Sequence, residues 1–440
     1  MNGLAFKTRP PPHRGRTAYR LHHPTRPRGT LSAACGFVAV GTRAAIVAYL
    51  GKINGNGPTV HPASLREGRS PVSLPSGTPL PPNGDIGVLT LHRCINYGSY
   101  WQARCLVEGL DGAGNEVRLL EHRSSPVDRA EWRCALQPEL PAVTRPDARA
   151  GYSRKIRKFL EAFEALPRTE PFPLDDPTEL DVFDLVVVGS DEVWNLHHPW
   201  YGGSSIFYGE GLPARRLASY AASFGNFTAA DLLKGRWTDR LGDFSVISVR
   251  DYNSKRLIEE VLGITPALVL DPCLQFPESI ETVAPHETDA PFAVVYGHSF
   301  PAWFGPAARR WADHRGIRLL SVGYHNDFAD RQWPDAGPED FAAAMGGAEA
   351  VLTNFFHGCV FALVNEKPFA CTLSDYRSSK LGDLTVMLGA EHHVVAPAEA
   401  EKQVDTVLAE PLSPSIIRRI AGLRHSSEAF LAHVLAPVSV

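Results

Sequence analysis

The chain of 440 residues suits two domains rather than one, and its 44% apolar and 21% charged content describe a globular protein. Its net charge of −4 hides an asymmetry: residues 1–84 hold eleven Lys and Arg and a single acid, Glu67, for +10, so the rest of the chain carries −14. An acidic body lacks the basic face of a nucleic-acid binder, and seven cysteines without a CxxC spacing argue against a zinc cluster or redox pair and fit reduced cytoplasmic thiols.

In chain order, "KTRPPPHRGRTAYRLHHPTRPRG" is too rich in Arg and Pro to bury apolar surface. The apolar stretch at 31–50 contains Arg43, which costs roughly 2.5 kcal/mol or more at the centre of a membrane span. A disordered extension closed by the linker "VSLPSGTPLPPNGD" is therefore expected over residues 1–84. Organised structure begins at Asp85 with a strand over Ile86–Leu91 and a helix over Ser99–Leu110, Ser99 being placed to cap it. "EVRLL" is a second strand and "SRKIRKFLEAFEAL" a helix with one apolar face. The apolar run Leu185–Val188 is a buried strand ending in Gly189-Ser190-Asp191, and "RLASYAASFG", "FSVISVRD" and "ALVLDPCLQF" supply three more.

A second series follows from "PFAVVYGHS" to "KPFACTL", strands alternating with helices, and "SPSIIRRIAGLRHSSEAFLAHVL" closes the chain as one amphipathic helix or two. The pattern predicts an α/β fold of two Rossmann-like, parallel-sheet domains, over 85–275 and 276–440. Open parallel sheets bind ligands beyond the carboxyl ends of their strands. The residues there are His92, Asn96, Tyr97 and Gly98, then Gly189-Ser190-Asp191, Arg250-Asp251, and His357-Gly358. Four loops from two halves can thus face one cleft. No P-loop, HExxH or GxSxG occurs, and the GxG at Gly112 and Gly114 leaves a helix for a strand, the wrong direction for a dinucleotide fingerprint. No metal and no cofactor is expected.

The segments "LHRCINYGSYWQARCL", "FDLVVVGSDEVWN", "SVRD" with "LDP" some twenty residues on, "AVLTNFFHGCVFALVNEKPF", "SSKLGDL" and "HSSEAFLAHVL" occur in order. Together they resemble the polysaccharide pyruvyl transferase family over roughly residues 85–435. That resemblance implies a two-domain fold like the GT-B glycosyltransferases and transfer of a pyruvyl group from phosphoenolpyruvate to a sugar as a ketal. The partners it implies are phosphoenolpyruvate and a sugar or lipid-linked saccharide, the latter at a membrane surface, for a cytoplasmic enzyme of exopolysaccharide or cell-wall synthesis. It makes His357 the catalytic histidine, beside a Gly at the strand-to-helix corner.

Such chemistry needs a guanidinium for the donor's carboxylate or phosphate, for which Arg250 is the candidate; the alternative is an Arg paired with Asp251 or another carboxylate. It needs helix N–H groups for phosphate, which Gly358 would leave open, and Ser190 in the Gly189-Ser190-Asp191 loop is a further substrate-binding candidate. Acid and base roles are open to Asp191 and His357, the imidazole being expected neutral at a helix N-terminus; the alternatives are a helix cap and a buried structural histidine. Asn96, Tyr97 and Gly98 either shape the acceptor side or form a tight turn. One departure concerns the donor: Phe355 stands where ketal-forming members often have Arg, and Arg377 is the candidate replacement. A nucleotide-sugar glycosyltransferase and a non-catalytic carbohydrate-binding protein are the competing readings.

Overall fold

The computed structural model describes residues 84–138, 143–288, 290–373 and 378–436. The expected extension up to residue 83 and Arg377 lie outside these described residues. The first half contains β1 (Asp85–Leu89), α1 (Tyr97–Asp111), β2 (Glu116–Leu119), α2 (Ser125–Leu136), α3 (Pro146–Glu164), β3 (Leu185–Val188), β4 (Leu217–Ser219) and α4 (Tyr252–Leu262). The strands form a four-stranded parallel sheet in the order β2-β1-β3-β4. A separate short parallel pair, Ser248–Val249 with Ala267–Leu268, carries Arg250 at its carboxyl end.

The second half contains β5 (Phe292–Tyr296), α5 (Phe304–Arg315), β6 (Arg318–Val322), β7 (Arg331–Trp333), α6 (Pro338–Gly347), β8 (Ala350–Thr353), α7 (Phe356–Val364), β9 (Phe369–Cys371), α8 (Ser378–Leu388) and the closing α9 (Pro414–Leu435). Its five strands are parallel in the order β7-β6-β5-β8-β9. The architecture is thus the expected α/β arrangement of two parallel sheets. Strand β3 reads LVVV because helices cover both faces of a parallel sheet, and all four residues are buried.

Several boundaries differ from expectation for local reasons. β1 stops at Leu89, and Asn96 rather than Ser99 caps α1, its side chain accepting from the Gly98 and Ser99 N–H groups at 2.8 and 3.3 Å. The fourth apolar run of the first half pairs only over Ala267–Leu268, because Asp271 turns the chain by accepting from the Cys273 N–H at 3.1 Å. The closing element is one continuous helix.

Side chains from α1 and α3 tie the two halves together. Tyr97 stacks on Phe341 with centroids 4.3 Å apart, and its hydroxyl donates to the Ala336 carbonyl at 2.7 Å. Trp101 donates to the Pro338 carbonyl at 3.0 Å, and Lys155 reaches the Gly323 carbonyl at 3.1 Å. One apolar core runs through both sheets and includes Tyr97, Trp101, Phe341 and Phe361. Truncating a buried aromatic such as Trp101 would cost about 3–5 kcal/mol, so this contact is a substantial part of the fold.

Candidate functional site

Three loops of the first half and one helix of the second converge on Arg250. The segment Gly189-Ser190-Asp191 leaves β3 through a tight bend: a Cβ at Gly189, whose φ is +119°, would lie 2.3 Å from the Tyr220 carbonyl oxygen. Asp191 itself has φ +73°, a region Asp tolerates better than most residues but which still needs support. Arg250 Nη2 donates to Asp191 Oδ1 at 2.7 Å, and the Ser99 hydroxyl donates to Asp191 Oδ2 at 3.0 Å.

The other terminal nitrogen of Arg250, Nη1, donates to Asp271 Oδ2 at 2.7 Å and to the Ser190 hydroxyl at 3.3 Å. Its guanidinium carbon lies 4.7 Å from the centroid of the Phe356 ring. Arg250 is therefore a buried counter-ion shared by two carboxylates, the arrangement in which it pairs with acids other than Asp251. Asp251 is occupied elsewhere, capping α4 through the Ser254 N–H at 2.7 Å.

His357 lies in the first turn of α7, with Nε2 3.5 Å from Asp271 Oδ2 and without a hydrogen-bond partner among the described residues. On its other side the ring abuts Gly98, where a Cβ would come within 1.9 Å of His357 Nδ1. Gly98 thus has a second duty besides starting α1: it makes room for the imidazole. Gly358 does not leave its N–H open as expected. That N–H donates to the Phe355 carbonyl at 3.1 Å, and the missing side chain lets the helix pack on Thr353, whose Oγ1 would be 2.0 Å from a Cβ. Phe356 and His357 head the first turn of α7, where N–H groups have no acceptor within the helix.

Charge balances charge here. Burial alone would raise the Asp191 carboxyl, but Arg250 and Lys380 outweigh it and hold it well below the usual carboxylate range. Asp271 is likewise pushed up by burial yet brought down to about 2 by His357, Arg250 and the Cys273 N–H. Both carboxylates draw the Arg250 guanidinium further toward its charged form against the cost of burying it. Asp271, Cys273 and His357 come within 4.8 Å of one another, a spacing a metal could use. The guanidinium already on Asp271 Oδ2 disfavours a second cation there.

The sequence pointed to Asp191, Ser190, Arg250, His357 and Gly98, and the structure gathers all five. It does not bring Tyr97 to the cleft: the side chain is fully buried between the halves, because an aromatic ring in the first turn of α1 faces Phe341. His92 is also buried away from the cluster, with Nε2 3.0 Å from Glu121 Oε2. Asn96 caps α1 rather than forming an isolated turn. Phe355 packs edge-on against Tyr296, Tyr324 and His298, so it brings no charge. Two contributors had no assigned role in the sequence, Asp271 and Lys380 from α8, which pairs with Glu192 next to Asp191, and Ser99, expected as a helix cap, bonds Asp191 instead. Asp271 and Lys380 sit in "LDP" and "SSKLGDL", and an acid or base inside a short apolar segment was the available signal.

A groove of about 530 Å³ lined by His286, Arg318, Arg331 and Trp333 opens elsewhere, at the amino ends of β5, β6 and β7. The Arg250 cluster lies beyond strand carboxyl ends, where open parallel sheets place their ligands, and is the stronger candidate.

Among solved structures, the chain is similar to the UDP-GlcNAc 2-epimerase of Methanocaldococcus jannaschii at 13% identity and a TM-score of 0.43, over 80% of this chain and 98% of that one. It is similar to the N-terminal domain of trehalose-6-phosphate phosphatase of Candida albicans at 11% identity and a TM-score of 0.40, over 84% and 98%. The glycotransferase of kitacinnamycin matches at 14% identity and a TM-score of 0.36, over 81% and 100%. These are remote likenesses. No curated protein matches the chain in sequence. A family model described as polysaccharide pyruvyl transferase matches residues 96–376, more than half of the chain and a span that takes in Gly98, Asp191, Arg250, Asp271 and His357. The loops that meet at Arg250 lie within that span, and the chain belongs to the polysaccharide pyruvyl transferase family.

Proposed function

We propose that the protein transfers a pyruvyl group from phosphoenolpyruvate to two hydroxyls of a saccharide, forming a ketal and releasing phosphate. The observation that carries this reading is the single cluster of Asp191, Arg250, Asp271 and His357, delivered by separate segments within contacts of 2.7–3.5 Å. Phosphoenolpyruvate brings a carboxylate, a phosphate and an enol carbon, and each finds a partner there. Asp191 is the more exposed of the two acids on Arg250, with 12% of its side chain accessible against 1% for Asp271. The donor's carboxylate exchanges with it on Nη2, one anion for another. The phosphate lies toward the positive end of α7 and Lys380, which takes the place of the charge absent at Phe355.

Asp191, held in its ionised form, is an acceptor and not a proton donor. The proton traffic therefore falls to His357. Its imidazole takes the proton of one acceptor hydroxyl as that oxygen bonds C2, and the same proton passes to the methylene carbon, which becomes a methyl group. The second hydroxyl then bonds C2 and displaces phosphate, its proton leaving with the phosphate. Asp271 steadies the imidazolium in between, since its own carboxyl stays ionised.

The test offers the purified chain phosphoenolpyruvate or nucleotide sugars together with saccharide acceptors. Phosphate released only with phosphoenolpyruvate, together with an acid-labile product, supports the proposal. Release of a nucleoside diphosphate would replace it with glycosyl transfer, and saccharide binding without either release would make the chain a binding protein.

A further inference from the structure

Helices α2 and α3 pack against each other on the first half, and residues 125–164 carry eight Arg and Lys against six acids in a chain that is acidic beyond residue 84. Part of that charge is spent inward, on contacts with the second half. Lys155 is buried against Gly323, Arg154 pairs with Asp335 at 2.8 Å, and Lys158 pairs with Asp340 at 2.6 Å. Glu131, one of the six acids, is buried too. What remains outward is predominantly cationic: Asp128 is partly accessible on α2, Glu161 is exposed on α3, and Glu164 is exposed but paired with Arg168. Arg129 and Arg133 follow one another at i, i+4 on α2, and Arg149 and Arg157 lie eight residues apart on one face of α3. All four are exposed and make no ion pair among the described residues. Between the two arginines of α2, Trp132 leaves 46% of its surface in solvent, and Val143, shortly before α3, leaves 85%.

Unpaired arginines around an exposed tryptophan suit the interface of an anionic bilayer, where the guanidinium groups meet phosphates and the indole sits at headgroup depth. A nucleic acid would use the charge but leave the indole and valine unexplained. The inner face of α3 packs on the seam between the halves: Lys155 lies 4.6 Å from the ring centroid of Tyr97, the residue before the Gly98 that abuts His357. We propose that the outer face of α2 and α3, formed by Arg129, Trp132, Arg133, Arg149 and Arg157, docks the protein on an anionic lipid surface. This rests on the proposed reaction only in its purpose, which is to bring the cluster to a lipid-linked saccharide.

The full-length protein is sedimented with vesicles of phosphatidylcholine alone and of equal parts phosphatidylcholine and phosphatidylglycerol. Binding is expected only to the anionic vesicles, and it should weaken as salt is raised. The variant Arg129→Glu/Arg133→Glu/Arg149→Glu/Arg157→Glu should bind at least about a hundredfold more weakly at an unchanged melting midpoint. Trp132→Ala should weaken it less. Arg418→Glu/Arg419→Glu, an exposed pair on α9, should bind like wild type. The proposal is overturned if wild type does not pellet, if the fourfold variant pellets like wild type (which would assign binding to basic residues 1–84), or if soluble heparin is captured while vesicles are not. Phosphate release with a soluble acceptor, read on the same fourfold variant, should be unchanged. Vesicle binding by a chain that never releases phosphate would count against the reaction and not against this surface.

Discussion

Gly98 in the first turn of one helix and His357 in the first turn of another touch across the two halves so closely that no side chain fits between them: a Cβ on residue 98 would lie 1.9 Å from His357 Nδ1. Gly98→Ala therefore forces either the ring or the helix to move. Overpacking of this kind costs roughly 1–3 kcal/mol, and the displaced imidazole should lower turnover at least tenfold. The control is Gly422→Ala, in α9 with open space around it, which should raise stability by about 0.5–1 kcal/mol. Kinetics and thermal unfolding of both variants check this; equal, wild-type turnover in Gly98→Ala would show that the ring's position is immaterial.

Arg250 holds two carboxylates in a space where only 1% of its own side chain reaches solvent. Arg250→Met removes the guanidinium that Asp191 and Asp271 share and leaves both buried acids under-compensated, a loss of about 3–5 kcal/mol. Arg250→Lys keeps the charge but cannot span both acids, so it should recover part of the stability and little of the donor affinity. Acid titration gives the sign. The folded Asp271 carboxyl sits near 2, below its ordinary value of 3.8, so the unfolded chain binds more protons between those values. Its stabilisation is complete above pH 3.8 and drains away as pH falls through about 2. Denaturant melts across that range should show the loss in wild type and a flatter profile in Asp271→Asn.

Lys155 gives a slope of the same sign at higher pH, there because burial penalises its charged form. Burial lowers its amine from an ordinary 10.5 to about 7, with the Gly323 carbonyl and the rings of Tyr97 and Tyr324 around it. Between pH 7 and 10.5 the unfolded chain holds the proton more often than the folded one, so this group makes stability rise with pH over that window. Lys155→Met should remove that rise and be at least as stable as wild type at neutral pH. A slope that persists in the variant would trace it to another group.

The sequence was most readable where geometry is local. The apolar run Leu185–Val188 and the strand-to-helix corner at His357 are written in consecutive residues, and both stand where the pattern placed them. Pairings across the chain were less readable. Nothing in "LDP" says that Asp271 will reach Arg250, 21 positions away, or that an acid there will sit beside His357. Tyr97 misled for a related reason: a polar aromatic in a loop-like "NYG" suggests a cleft, while the buried Ala336 carbonyl that receives its hydroxyl is 239 residues distant. Gly358 looked like an opening for phosphate, whereas contact with Thr353 across the corner is what requires it.

His357 carries the proton in the proposed reaction, and its replacement is the most direct test. Phosphate release from phosphoenolpyruvate with a saccharide acceptor, and the thermal midpoint, are to be read on one preparation each of wild type and His357→Asn. Asn preserves approximate size beside Gly98 and Asp271 but cannot carry the proton, so turnover should fall about a hundredfold or more while the midpoint stays near wild type. A variant that melts well below wild type yet turns over normally when folded would make His357 a packing residue and contradict the proposed site.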